Sequence, residues 1–219
     1  MRWQTFKQTK SNWRALLIVL IGVIAEIVGA LLPREPGSLG LQPKGAMRKH
    51  ALYAAEREGE SYYIARYVPT PHEVVDRMLE LARVRKGDLL YDLGSGDGRI
   101  VITAARRYGV QAVGFEIDPG LVKNSRDSIR DAGLEHLVEI REQDIRTVDL
   151  SPASVLTMYL HPAANLRLRS AIMRQLKPGA RVVSHDFGMG NWKPDRIDQI
   201  TDSAGHSRTI YLWRIVQTP

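Results

Sequence analysis

The stretch Leu89-Leu-Tyr-Asp-Leu-Gly-Ser-Gly-Asp-Gly98 constrains the fold more than any other part of this 219-residue chain. A strand-like run of four apolar residues and one acid, Asp92, leads into three glycines at alternate positions, and helical spacing resumes at Arg99. Glycine allows positive φ and close approach of backbone to a ligand. In an open parallel sheet, ligands sit beyond the carboxyl ends of the strands, where the first strand turns into its helix.

The chain after this loop keeps alternating. Helix is predicted over Arg99–Tyr108, from Asp118-Pro119 to about Ala132, and from about Ala164 to Leu176. Strands are predicted at Leu89–Leu93, Ala112–Glu116, Leu137–Arg141, Val155–Leu160, Arg181–Asp186 and Thr209–Val216. Ahead of the loop, His72–Ala82 places Val74, Val75, Met78, Leu79 and Ala82 on one helical face; Thr70 is expected to cap it, with Pro71 in the first turn and Glu73 completing a capping box. The fold class is therefore α/β, a doubly wound, mostly parallel Rossmann-like sheet.

Residues 1–32 differ in character. Ala15 to Leu32 is an eighteen-residue apolar run broken only by Glu26. As a helix it would span about 27 Å, close to a bilayer's hydrocarbon core. The expectation is a membrane-anchor helix; a cleaved signal peptide ending near Ala25 and a buried core helix are the alternatives. Residues 33–45 read as a Pro/Gly-rich linker, and residues 46–219 as the α/β domain. Residues 1–50 hold eight Lys/Arg against two acids, so they carry +6 of the net +7. The near-neutral remainder lacks the overall basic bias of a phosphate-backbone binder, so nucleic acid is disfavoured as a partner. The absence of cysteine excludes thiolate metal ligands and cysteine nucleophiles.

The glycine loop separates two ligand classes. A dinucleotide loop, G-x-G-x-x-G, would need a third glycine where Arg99 stands, and no Gly-Lys-Ser/Thr follows for a Walker loop. The form D-x-G-x-G-x-G resembles the first motif of class I, or seven-β-strand, methyltransferases. That resemblance implies S-adenosylmethionine (AdoMet) as cofactor, bound by Asp92, Gly94, Ser95, Gly96 and Gly98. Asp92 would meet the cofactor's ammonium, where in a pyrophosphate site its charge would repel. Glu116, at the end of the second strand, is placed to accept from ribose hydroxyls. Asp144 matches the family position that contacts the adenine amino group, with Ile117 packing over the ring.

A narrower resemblance rests on Tyr67-Val-Pro-Thr-Pro71, Tyr91 to Ile102, Thr157-Met-Tyr-Leu160 with Asn165, and Pro178 to Phe187, in that order. Together they are similar to small protein-lysine methyltransferases, a group including the mitochondrial enzymes for adenine nucleotide translocase and ATP synthase c-subunit, and archaeal relatives. The resemblance covers Tyr67 to Trp192 and implies a protein lysine as acceptor, with a membrane protein as a natural substrate. Thr70 and Asn165 would line the cofactor or acceptor pocket, and Tyr67 and Tyr159 are the candidate aromatic walls for the lysine stem. Tyr67, Tyr159 and Asn165 are the catalytic candidates, and Thr70 joins the cofactor set. His185 and Asp186, at a strand end, read as a structural pair or a base. No carboxylate set has the spacing of a metal site, so no metal is expected. Other readings remain open: a small apolar acceptor, a nucleic acid, or a non-enzymatic AdoMet-binding membrane adaptor. The domain is expected to face cytoplasm or mitochondrial matrix, where AdoMet is supplied.

Overall fold

The computed structural model describes residues 67–216. The apolar segment Ala15–Leu32, the linker and residues 46–66 lie outside the described residues. Among the described residues no helix is long and apolar enough to cross a membrane.

The strand–helix alternation takes shape as α1 (His72–Leu81), β1 (Leu89–Leu93), α2 (Arg99–Tyr108), β2 (Gln111–Glu116), α3 (Pro119–Asp131), β3 (Val138–Glu142), β4 (Val155–Met158), α4 (Pro162–Gln175), β5 (Arg181–His185), β6 (Arg196–Thr201) and β7 (Ser207–Arg214). A 3₁₀ turn, Ile145–Thr147, lies between β3 and β4. The seven strands order as β3-β2-β1-β4-β5-β7-β6. β1 to β5 are parallel, while β7 runs antiparallel to β5 and β6 antiparallel to β7. The order reverses between β1 and β4, which opens a crevice at their carboxyl ends.

Burial explains the layers. β1 and β4 are shielded on both faces, as near-continuous apolar runs require. On one face, α1, α2 and α3 bury Val74, Met78, Val101, Ala104 and Ile129 against Leu90, Val155 and Val183. On the other, α4 buries Leu168 and Ile172 against Leu156, Met158, Val182 and Trp213.

Three expectations change. β6 was not anticipated: its Ile197 and Ile200 are three apart, which breaks the strand period of two, and Ile197 is 57% exposed on the sheet's edge. Thr70 does not cap α1. The helix starts at His72 after an extended Pro71 (ψ 145°) with no side-chain cap, and the Glu73 carboxylate accepts instead from the Ser203 amide. α4 begins at Pro162 rather than Ala164, because His161 caps it, Nδ1 accepting from the Ala163 amide at 3.4 Å. Asp118 caps α3 as expected, accepting from the amides of Gly120 and Leu121, with Pro119 in the first turn.

Candidate active site

β1 delivers Asp92 to the crevice fully buried, and parallel pairing sets Thr157 of β4 beside it. The Thr157 hydroxyl donates to Asp92 Oδ1 at 2.8 Å, while Oδ2 has no partner. Burial pushes the carboxyl up to about 7, against the Thr157 hydrogen bond, with Glu116 and Asp97 adding like charge. Thr157 had no assigned role in the sequence; only the strand register shows it.

The loop then folds back over β2. The amides of Gly94 and Ser95 both donate to the Phe115 carbonyl, at 2.9 and 3.0 Å. Gly94, Gly96 and Gly98 all have positive φ, between 55° and 79°. The glycines also make room for side chains: a Cβ on Gly94 would lie 2.7 Å from Leu160 Cδ2, and one on Gly96 would lie 2.5 Å from Tyr67 Cε2. Ser95 is buried against Gly114, whose bare Cα makes that packing feasible, and its hydroxyl has no partner.

Glu116 ends β2 inside this loop. Its Oε2 accepts from the Gly96 amide at 2.8 Å, and Oε1 from Ile117 and Asp118 at 2.8 and 3.0 Å. A carboxylate has about four acceptor positions, so one remains for a ligand hydroxyl. Asp144 follows β3, capping the 3₁₀ turn and pairing with Arg146 at 2.6 Å. That pair holds the Asp144 carboxyl below its usual range. Ile117 is exposed at the same rim.

The remaining candidates gather around His185, at the end of β5. Its Nδ1 lies 3.3 Å from the Thr70 hydroxyl, and the Tyr159 ring packs on it with centroids 4.0 Å apart. Nε2 lies 3.3 Å from Asp186 Oδ2 without hydrogen-bond alignment. Burial pulls the imidazole down to about 4, so it is neutral at physiological pH. Asp186 adopts φ 57°, unusual outside glycine, and is secured there by the Thr209 amide and the Arg208 guanidinium. Tyr159 also stacks on Phe187 at 6.1 Å. Asn165 is fully buried: its amide nitrogen donates to Ser184 Oγ and the Phe187 carbonyl, leaving Oδ1 without a partner. Tyr67 stands apart from that group, over Gly96 and 43% exposed.

Buried polar atoms without partners are rare in folded proteins. Among the described residues they are Asp92 Oδ2, Ser95 Oγ, Asn165 Oδ1, His185 Nε2 and Arg181 Nε. The first four lie at the carboxyl ends of the strands. A buried acid lacking a cation, beneath a glycine loop, fits the ammonium of AdoMet. Asp92, the loop and Glu116 would hold the cofactor, which when bound supplies an electrophilic methyl group. The fold and this site together define a class I AdoMet-dependent methyltransferase.

Comparisons with known proteins narrow that class. Residues 92–196 match the family described as the ANTKMT methyltransferase domain. A protein-lysine N-methyltransferase of Saccharolobus islandicus (strain REY15A) is 42% identical over 150 residues, covering 68% of this chain and 92% of that protein. The ATP synthase c-subunit lysine N-methyltransferase of Homo sapiens is 32% identical, covering 86% of this chain and 71% of that one. The crystal structure of an RNA methyltransferase from Salinibacter ruber, in complex with S-adenosyl-L-homocysteine, is 54% identical, with a TM-score of 0.64 over 69% of this chain and 96% of that chain. The chain belongs to this family of small AdoMet-dependent methyltransferases.

Proposed function

We propose that this protein is a protein-lysine N-methyltransferase, tethered to a membrane by Ala15–Leu32, with its domain facing cytoplasm or mitochondrial matrix. What carries the lysine acceptor is the 42% identity across nearly the whole length of the Saccharolobus islandicus protein-lysine enzyme. The site chemistry agrees. A lysine ammonium must shed its proton before it can attack, and removal from water favours the neutral amine. Tyr67 and Tyr159 offer aromatic faces to the alkyl stem and to the cationic product. Neutral His185 puts no positive charge beside that product. Thr70 and Asn165 hold the two flanks, one through His185 and the other through the loop after β5. Because methyl transfer from a sulfonium is an in-line displacement, positioning by these groups supplies much of the rate.

A second reading, an RNA acceptor, is favoured by the 54% identity to the Salinibacter ruber RNA methyltransferase. Against it stands the near-neutral charge of residues 51–219, a net +1 once the +6 of residues 1–50 is set aside. Incubating the full chain with radiolabelled AdoMet and a whole membrane extract containing RNA separates the readings. Label removed by protease and recovered as methyl-lysine is expected. Label removed by ribonuclease would replace the acceptor with RNA, and label in lipid would point to a small apolar acceptor. Intact AdoMet binding with no label anywhere would favour an adaptor.

A further inference from the structure

Asp97 lies in the glycine loop and Arg99 opens α2, and neither is among the residues assigned to the cofactor. Arg99 occupies the place where a dinucleotide loop would have glycine, and its guanidinium spans two partners. Nε lies 3.0 Å from both Asp97 oxygens and Nη2 2.6 Å from Oδ2, while Nη1 donates to the Thr70 carbonyl at 2.8 Å. Burial and the neighbouring Asp97 carboxylate raise the Tyr67 hydroxyl above its ordinary range, which sets that hydroxyl beside the Asp97–Arg99 pair. Tyr67 and Thr70 are three residues apart on one segment, so the contacts form a circuit from Asp97 through Arg99 to the Thr70 carbonyl, with the Tyr67 ring resting on Gly96 at its other end. His185 secures the Thr70 side chain from the opposite direction.

The segment Tyr67–Pro71 belongs to no helix or strand and forms no sheet pairing. Among the described residues, its place over the loop is set by contacts such as Arg99 Nη1 to the Thr70 carbonyl and the Tyr67 ring against Gly96. We propose that the Asp97–Arg99 pair is a positioning device: it fixes the Tyr67 ring on Gly96, so that the acceptor path is built in register with the loop that holds the methyl donor. A lysine at position 99 could not reproduce it, because a point charge lacks the planar fork that meets a carboxylate and a carbonyl together. The inference rests on the reading that Tyr67 lines the acceptor path.

The test uses the full chain carrying R99K, Y67A and both together, with R99A as a second disruption of the circuit. A spin label on V68C reports the segment directly, and it is unique because the chain has no cysteine. Expected in R99K and R99A is a narrower, more mobile spectrum. AdoMet affinity by calorimetry should fall much less than the rate does, because Asp92, Glu116 and the glycine loop keep their contacts and only the Thr70 tether is lost. The initial rate at saturating AdoMet, on the same membrane extract, should fall about tenfold or more, the scale of a misplaced positioning group. In the Y67A background R99K should add no further loss, which a merely structural role for Arg99 would not produce. An unchanged spectrum, an unchanged rate or losses that multiply would overturn the proposal. So would loss of AdoMet affinity in step with the rate. Label in RNA instead of lysine would sink the acceptor assignment alone, since the Arg99–Tyr67 coupling is then read on RNA counts.

Discussion

At the residue scale, Asp92 shows how burial and ligand charge act against each other. Its folded carboxyl titrates near 7, far above the 3.8 of the free side chain, so the cofactor-free fold binds this proton more tightly than the unfolded chain does. The stability this contributes is present below pH 4 and is lost as pH rises through 7, at no more than about 1.4 kcal/mol per pH unit. A cationic ligand reverses the preference, favouring the carboxylate and expelling the proton. AdoMet affinity is thus expected to rise between pH 5.5 and 7, by at most about tenfold per unit. Asp92→Asn should flatten that rise and weaken binding by about 3 kcal/mol or more, the cost of breaking a buried pair, while leaving the cofactor-free domain folded. Calorimetry at several pH values checks both; equal pH slopes in the two proteins would mean that Asp92 does not meet the ammonium. The acid and its strand end were legible from sequence. Its hydrogen bond from Thr157 was not, because the partner lies 65 residues away and is set by sheet register.

Elements show the glycines doing two different jobs. Gly109 ends α2 at φ 64° with open space around it, whereas Gly96 has φ 55° and the Tyr67 ring against it. Gly109→Ala should therefore cost about 1–2 kcal/mol, the left-handed penalty alone, and leave methyl transfer intact. Gly96→Ala should carry the same backbone penalty and in addition displace Tyr67, with a large loss of activity. Thermal melts and initial rates on both variants decide the point; equal activities would show that the Tyr67 contact is immaterial. The D-x-G-x-G-x-G spacing foretold where the loop bends, but not that two of its glycines accommodate Leu160 and Tyr67. β6 makes the complementary case. It has no strand-like alternation of its own, and it exists because β7 offers it an edge and Arg77 anchors its Asp198. Thr70 likewise carried a capping signal that lost to His185, a residue 115 positions away.

For the whole molecule, the residues assigned to the cofactor all lie within the described residues 67–216, while the anchor assigned to Ala15–Leu32 rests on sequence. A chain starting at residue 46 is expected to bind AdoMet with unchanged affinity and to leave the membrane fraction, where the full chain should resist carbonate washing. Release of the full chain by carbonate would remove the anchor from the proposal. The sequence by itself determined the α/β alternation, the glycine loop and the acids Asp92, Glu116 and Asp144 at three strand ends. These are legible because local periodicity and turn chemistry act over a few residues. Tertiary structure alone decided which side chains share the crevice: Thr157 with Asp92, His185 between Thr70 and Tyr159, and Arg99 bridging Asp97 to Thr70. Such contacts follow from strand order and register, which bring together residues that have no local relation in the chain.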